Sequence, residues 1–348
     1  MRMASRPQPA HTAGTSRFRT ILVCLALAAP AAAPAQDATP LLRAESVRLS
    51  AAPGAGDRVG RIKSFGMLEL PAVAFDGRRF SQLSGLAWDD DDEVLYAISD
   101  KGVLFHLKPV LKDGVLAEVR LVKAAPLLDP ASGKPLKGRR ADSEGLDILN
   151  GRNGRKGDAE LVVSFERFPR IVRYRPDGRA LGEHPLPEQL KDAKAYRDSN
   201  KMLESVCVDQ KLGILTVPEA PLRNEREGET HIFSLSGRSW SYPLTGGMRI
   251  SAIECLGDGR LLVLERDYGR LLGRAIVALK TARLPPTAAG ATAVATVVTL
   301  DASDGYQIDN FEGLARHRGN RFFMISDDND LFLQRTLLLY FEILNDRT

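Results

Sequence analysis

The sequence predicts an all-β protein, a β-propeller of five blades, and three observations carry that reading. Five stretches share an opener, a strand-turn-strand length and a closing acid: Ser84-Gly85-Leu86 to Asp100, Glu144-Gly145-Leu146 to Glu166, Glu204-Ser205-Val206 to Glu219, Ser251-Ala252-Ile253 to Glu265, and Glu312-Gly313-Leu314 to Asp327. The openers lie 60, 60, 47 and 61 residues apart, the length of a four-stranded blade that buries its faces only against its neighbours. The last repeat is one strand short, while residues 63–70 form a spare strand ahead of the first repeat. Donating it to the last blade closes the ring and leaves no free edge.

The N-terminus comes first in the chain and is not part of the ring. Arg17 and Arg19 precede an apolar run over residues 21–29, and small residues follow, ending in Ala33-Pro34-Ala35. This is the pattern of a cleaved signal peptide, with an apolar run too short to span a bilayer. The expected domains are therefore a signal peptide over 1–35 and a single propeller over 36–348. The formal charge of +4 comes from Arg2, Arg6, Arg17 and Arg19, because no acid precedes Asp37. The mature chain is about neutral, and its pI argues for no nucleic-acid partner. Export to the periplasm or beyond, no stable membrane insertion after cleavage, and a monomer are the expectations.

Blade one is predicted over 83–88, 94–99, 103–107 and 115–122, with Asp113-Gly114 as a hairpin turn. Blade two takes 144–149, 161–165, 171–174 and a strand near Leu181, with Asp177-Gly178 at a turn and a polar, glycine-rich insertion over 151–157 that reads as mobile. Blade three takes 203–208, 214–217, 231–235 and 239–242. Blade four takes 250–256, 261–264, 275–279 and 291–300. The last blade takes 311–315, 322–325 and 335–343. Residues 187–201 read as a loop in preference to a helix. Six blades is the alternative if residues 45–50 add further pairing.

Three cysteines are too few for a disulfide framework, and Cys24 leaves with the signal peptide. Cys207 and Cys255 fall on the inner strands of adjacent blades, one position out of register; buried free thiols are the reading taken, with a disulfide as the alternative.

In a blade the start of the inner strand lies beside the end of the second. Openers and closing acids therefore share one rim, which gathers Asp100, Glu144, Glu166, Glu204, Glu219, Glu265, Glu312 and Asp327 at one mouth of the channel. Carboxylates so close raise one another's pKa unless cations sit among them. With little histidine nearby, oxygen donors of this kind suit a hard cation, calcium above all. Ser326-Asp327-Asp328-Asn329 is the densest cluster of donors, with an ordinary solvated turn as the competing reading. Three closing acids precede a cation, in Asp100-Lys101, Glu166-Arg167 and Glu265-Arg266. Lys101, Arg167 and Arg266 read either as anion binders for a phosphorylated substrate or as partners in structural salt bridges. There is no G-x-S-x-G elbow, P-loop or dinucleotide fingerprint.

At these residues the chain resembles the exported family described by an esterase-like activity of phytase, the phytase-like domain proteins. The resemblance runs over roughly 81–343. It rests on Leu83-Ser84-Gly85-Leu86 with Ala97-Ile98-Ser99-Asp100, Asp142-Ser143-Glu144-Gly145-Leu146 with Val163-Ser164-Phe165-Glu166-Arg167, Leu203-Glu204-Ser205, Leu264-Glu265-Arg266-Asp267, Asn310-Phe311-Glu312-Gly313-Leu314, and Ser326-Asp327-Asp328-Asn329. It implies an exported hydrolase of phosphoesters or carboxyl esters, similar in architecture to calcium-dependent propeller phytases. The chain departs from the commoner pattern at Leu203-Glu204-Ser205, which lacks the glycine, and at Ser251, which replaces an acid.

Three functions follow as expectations. The first is a calcium-dependent phosphoester hydrolase with Glu144, Glu166 and Glu204 as catalytic or water-orienting carboxylates. Lys101, Arg167 and Arg266 would bind the substrate anion, and Asp100, Glu219, Glu265, Glu312, Asp327, Asp328 and Asn329 the metal. The second is a non-catalytic propeller that holds calcium and a ligand, and the third a calcium-dependent lactonase or carboxyl esterase.

Overall fold

Runs of β-branched and aromatic residues, broken by Asp-Gly and Gly turns, fold into antiparallel meanders of four strands. The computed structural model describes residues 41–52, 54, 56–268, 275–287 and 291–345; the expected signal peptide and its cleavage site lie outside them. Among the described residues no helix is long and apolar enough to cross a membrane.

Blade one is Leu83–Asp89, Val94–Ser99, Val103–Lys112 and Val115–Pro126. Blade two is Ser143–Leu149, Glu160–Phe165, Arg170–Tyr174 and Ala180–His184. Blade three is Leu203–Asp209, Gly213–Pro218, Glu229–Ser234 and Ser239–Pro243. Blade four is Arg249–Gly257, Arg260–Tyr268, Ala275–Arg283 and Ala293–Asp301. Asp113 and Gly114 both take positive φ, 53° and 79°, as a two-residue I′ hairpin requires.

Blade five is Asn310–Arg316, Arg321–Asp327 and Thr336–Ile343, and its outer strand is the N-terminal Ile62–Leu70. That strand pairs antiparallel from Thr336↔Leu70 to Ile343↔Ile62, so the ring closes by strand exchange as the sequence predicts. Glu45–Val47 pairs on the outer edge of Ile62–Leu70; it widens blade five and builds no sixth blade. The inner strands touch in a closed cycle from blade one through five and back to one.

The buried apolar residues divide into five cores, one at each interface between neighbouring blades. Between blades five and one, for example, Phe323, Ile325 and Leu338 pack on Leu86, Leu95 and Phe105. A blade is apolar on both faces because both faces are interfaces, which is why its middle strands read as continuous hydrophobic runs.

The structure departs from the sequence reading at three places. Cys207 and Cys255 form a disulfide between the inner strands of blades three and four, with a Cα–Cα distance of 5.5 Å. The one-position stagger does not prevent bonding, because adjacent inner strands converge at the channel to a separation that a disulfide spans. Insertion 151–157 is pinned, not free: the Asn153 N–H donates to Asp91 at 2.9 Å and the Gly157 N–H to Asp92 at 2.9 Å. Residues 187–201 hold one α-helical turn, Glu188–Lys191, and a 3-10 turn, Ala193–Ala195, where Leu190 is buried in the core between blades two and three.

Candidate metal centre

The site is built by one backbone device repeated five times. In every blade the pairing of the first two strands slips by one residue at the opener: between Leu83 and Gly85, Ser143 and Leu146, Leu203 and Ser205, Ile250 and Ala252, and Phe311 and Gly313. These are β-bulges, which leave one residue outside the ladder and re-aim its side chain. The re-aimed residues are Ser84, Glu144, Glu204, Ser251 and Glu312. The neck behind them is tight. A Cβ on Gly145 would lie 2.6 Å from the Val206 nitrogen and 2.5 Å from Ser164 Oγ, so glycine is needed after Glu144. The closing acids are fixed as regularly, since the N–H groups of Asp100, Glu166 and Glu219 donate to the carbonyls of Gln82, Asp142 and Met202 at 3.1, 3.0 and 2.9 Å.

Register also identifies the true closing residue of blade four. Leu83 pairs Ser99, Ser143 pairs Phe165, Leu203 pairs Pro218, Ile250 pairs Glu265 and Phe311 pairs Ser326. The next residue closes each blade, which gives Asp100, Glu166, Glu219, Arg266 and Asp327. Glu265, expected as a metal ligand, therefore points away from the mouth. It is fully buried between blades three and four, where Lys280 Nζ lies at 2.8 Å and the Tyr242 hydroxyl of blade three donates at 2.7 Å. Arg266, expected as an anion binder, occupies the ring position instead. Its guanidinium lies 2.9 Å from Glu312, 3.4 Å from Glu204 and 3.8 Å from Glu219, and donates to Asn310 Oδ1 at 2.6 Å.

The remaining carboxylates cluster. Glu166, Glu204 and Glu219 offer oxygens that all lie within 4.8 Å of one another, and so do Asp142, Glu144 and Glu166. Glu166 belongs to both groups. Sequence reasoning assigned no role to Asp142; its signal was its place two residues ahead of an acidic opener, on the same rim. With Asp142 in place of Glu265, eight carboxylates among the described residues still lie at the mouth. Asp327 is buried beside Glu312 and accepts from the Asn329 N–H at 2.7 Å. Asp100 accepts from Gln82 Nε2 at 3.0 Å and pairs with Lys101 at 3.2 Å, while its Oδ1 is buried with no hydrogen-bond partner.

Two further expected ligands lie outside the cluster. Asp328 is a brace: it accepts from the Gln82 N–H at 2.9 Å, the Asp330 N–H at 3.0 Å and the Thr336 hydroxyl at 3.1 Å, tying blade five to blade one. Asn329 is exposed in a left-handed turn with φ 47°. Of the expected anion binders, Arg167 is engaged by Asp142 at 2.5 Å, and Lys101 stands at the rim with 65% of its side chain exposed.

The electrostatics follow from burial and crowding. Burial first, then Asp142 and Glu219, push the Glu166 carboxyl up to about 8. Burial and neighbouring carboxylates push Glu144 and Glu204 well above the usual range, Glu204 despite Arg266 beside it. Burial and Glu312 do the same to Asp327, and burial lifts Asp100 to about 6. Burial works against the Arg266 charge, but Glu312, Glu219 and Glu204 outweigh it and hold the guanidinium protonated. Arg266, Arg167 and Lys101 are too few to neutralise so many acids. The donors of the two trios are all carboxylate oxygens, and Asp100 on the same rim carries an orphaned buried oxygen; such a set fits a hard divalent cation.

A family model described as "Phytase-like: Esterase-like activity of phytase" matches residues 78–330. No curated protein matches the chain. Among solved structures, a gluconolactonase from Xanthomonas campestris is 12% identical, with 88% of this chain and 98% of that chain covered and a TM-score of 0.38.

Proposed function

Since the chain belongs to the phytase-like family with esterase-like activity of phytase, we propose that it is an exported, divalent-cation-dependent hydrolase acting on a phosphoester at the acidic mouth. One observation carries the reading: two carboxylate trios that share Glu166, in a mouth with too few cations of its own to ionise them. Glu166 with Asp142 and Glu144, and Glu166 with Glu204 and Glu219, would hold the cation. Bound there, a calcium ion supplies a Lewis acid for a phosphoryl oxygen and lowers the pKa of its water.

The chain's own residues supply position and protons. Arg266, at the rim of blade four, fixes the carboxylates of Glu204, Glu219 and Glu312 on the two neighbouring blades. Glu144 and Glu204 stand at bulges, where their oxygens can orient a water. Glu166, pushed up to about 8, keeps a proton near neutrality in the metal-free ring and would give it up to the cation. Lys101 has the reach to meet a substrate anion entering from solvent. Export is supported by the Cys207–Cys255 disulfide, which persists in oxidising compartments.

A second reading, a non-catalytic propeller that binds calcium and a ligand, is favoured by one feature: Arg167 and Arg266 are engaged by acids and are not turned toward an incoming anion. Turnover of p-nitrophenyl phosphate, bis-p-nitrophenyl phosphate, phytate, short esters and lactones by the chain from residue 36, with calcium and with chelator, tests both. Chelator-sensitive phosphoester cleavage supports the hydrolase. Calcium binding with no turnover favours the binder, and cleavage of lactones alone moves the substrate class to carboxyl esters.

A further inference from the structure

The loops that join second to third strands, and one blade to the next, lie on the same face as the acidic mouth. On that face the loop 328–335 of blade five carries Leu331, Phe332 and Leu333 in succession, with relative exposures of 54%, 95% and 67%. Exposed large hydrophobics elsewhere among the described residues stand singly: Leu41, Val115, Val122 and Phe168. Scattered apolar residues need no explanation, whereas a contiguous projecting group marks an interaction site.

The projecting group is held rigidly by polar bonds at its base. Asp330 is paired with Arg79 at 2.7 Å, the Leu331 N–H donates to the Asp328 carbonyl at 2.8 Å, and the Gln334 N–H donates to the Leu331 carbonyl at 3.0 Å. The chain thus builds a fixed stalk to present three apolar side chains to solvent. Across the mouth, Phe168 on the corresponding loop of blade two is 44% exposed, with Arg139 and Arg140 at 5.9 and 5.8 Å from its ring.

Charge on this arc is lopsided. Over residues 71–82, 100–102, 127–142, 166–169 and 328–335, the exposed cations are Arg79, Lys101, Lys134, Lys137, Arg139 and Arg140, and the exposed acids are Asp76 and Asp330; Arg79, Lys101 and Arg140 are paired with Asp330, Asp100 and Asp129, which leaves Lys134, Lys137 and Arg139 turned to solvent. The mature chain is near neutral, so this is a local basic fringe on the same face as the apolar tip. A protein partner's apolar groove would match the tip but not the fringe. An anionic bilayer matches both, since basic side chains lie at the headgroup level while apolar ones enter the acyl boundary.

We infer that the mouth-bearing face of blades five, one and two docks peripherally on an anionic lipid surface, with residues 331–333 as its apolar anchor and the basic fringe at the headgroups. Docking would hold the acidic mouth against that surface whether or not the mouth is catalytic.

Vesicle co-sedimentation of the chain from residue 36 tests it, with phosphatidylcholine alone and with phosphatidylglycerol added, in chelator so that no metal bridges lipid to carboxylate. The wild type is expected to partition about tenfold or more in favour of the anionic vesicles. The triple variant Leu331→Ser, Phe332→Ser, Leu333→Ser should reduce that partition about tenfold or more at an unchanged melting temperature. Lys137→Ala with Arg139→Ala should abolish the preference for anionic lipid. A wild type that stays in the supernatant with both vesicles, or a triple variant that binds like the wild type, overturns the inference. So does self-association in the absence of vesicles that the triple variant removes, which would make the tip a contact between copies of this chain. Vesicle binding without hydrolysis would sink the proposed activity alone, and chelator-sensitive turnover without vesicle binding would sink the docking alone.

Discussion

Glu265 and Arg266 are sequence neighbours that strand alternation sends to opposite sides: Arg266 into a ring of carboxylates, Glu265 into the interface between blades three and four. The difference was readable in spacing. Glu204 to Glu219 and Glu312 to Asp327 each span 15 residues, and Ser251 to Arg266 also spans 15; choosing the acid in preference to the spacing placed Glu265 wrongly. Buried as it is, the Glu265–Lys280 pair has a structural role. Lys280→Ala leaves the Glu265 charge without its cation, so it should destabilise the protein by about 3–5 kcal/mol with calcium affinity unchanged, measured by denaturant unfolding and calorimetry. Loss of calcium affinity at full stability would put Glu265 back in the metal centre.

The strand Ile62–Leu70 was legible because an alternating run stood unpaired before the first repeat while the last repeat lacked a strand. Blade strands were legible for the same physical reason, a short apolar run between turn residues. The bulges, the disulfide and the pinned insertion were not. A bulge shows only in pairing register, and pairing of Cys207 with Cys255 depends on how closely two inner strands approach. Anchoring of residues 151–157 depends on Asp91 and Asp92, about 60 residues away in sequence. Removing residues through 70 should unfold the last blade. Ile62, Met67, Leu68 and Leu70 are buried, each contributes about 1.5–3 kcal/mol by burial, and the total rivals the roughly 5–15 kcal/mol of a whole domain. A chain lacking only residues 1–40 is the reference. Equal melting temperatures for the two would contradict closure by strand exchange.

At the scale of the whole ring, the acidic mouth trades stability for a charge pattern, and its pH dependence has a definite sign. Glu166 binds its proton more tightly folded than unfolded, with a folded value of about 8 against 4.5. Its contribution is therefore fully present below pH 4.5 and lost as pH rises to about 8. Glu144, Glu204 and Asp327 shift in the same direction. In chelator the melting temperature should fall as pH rises from 4.5 to 8, and calcium should flatten that slope by binding the ionised form. A metal-free protein equally stable across that range would show that the carboxylates are already neutralised within the fold.

The measurement that bears most directly on the central claim is a calorimetric calcium titration of the chain from residue 36 at pH 7, in two buffers of different ionisation heat, with Glu166→Gln beside the wild type. Saturable binding with proton release is expected of the wild type, because carboxylates that hold protons at pH 7 must give them up to the cation. Binding should be weakened about tenfold or more in Glu166→Gln, since both trios lose the negative charge of their shared carboxylate. No heat of binding, or a Glu166→Gln protein that binds calcium and releases protons like the wild type, would contradict a cation site at the mouth of this ring.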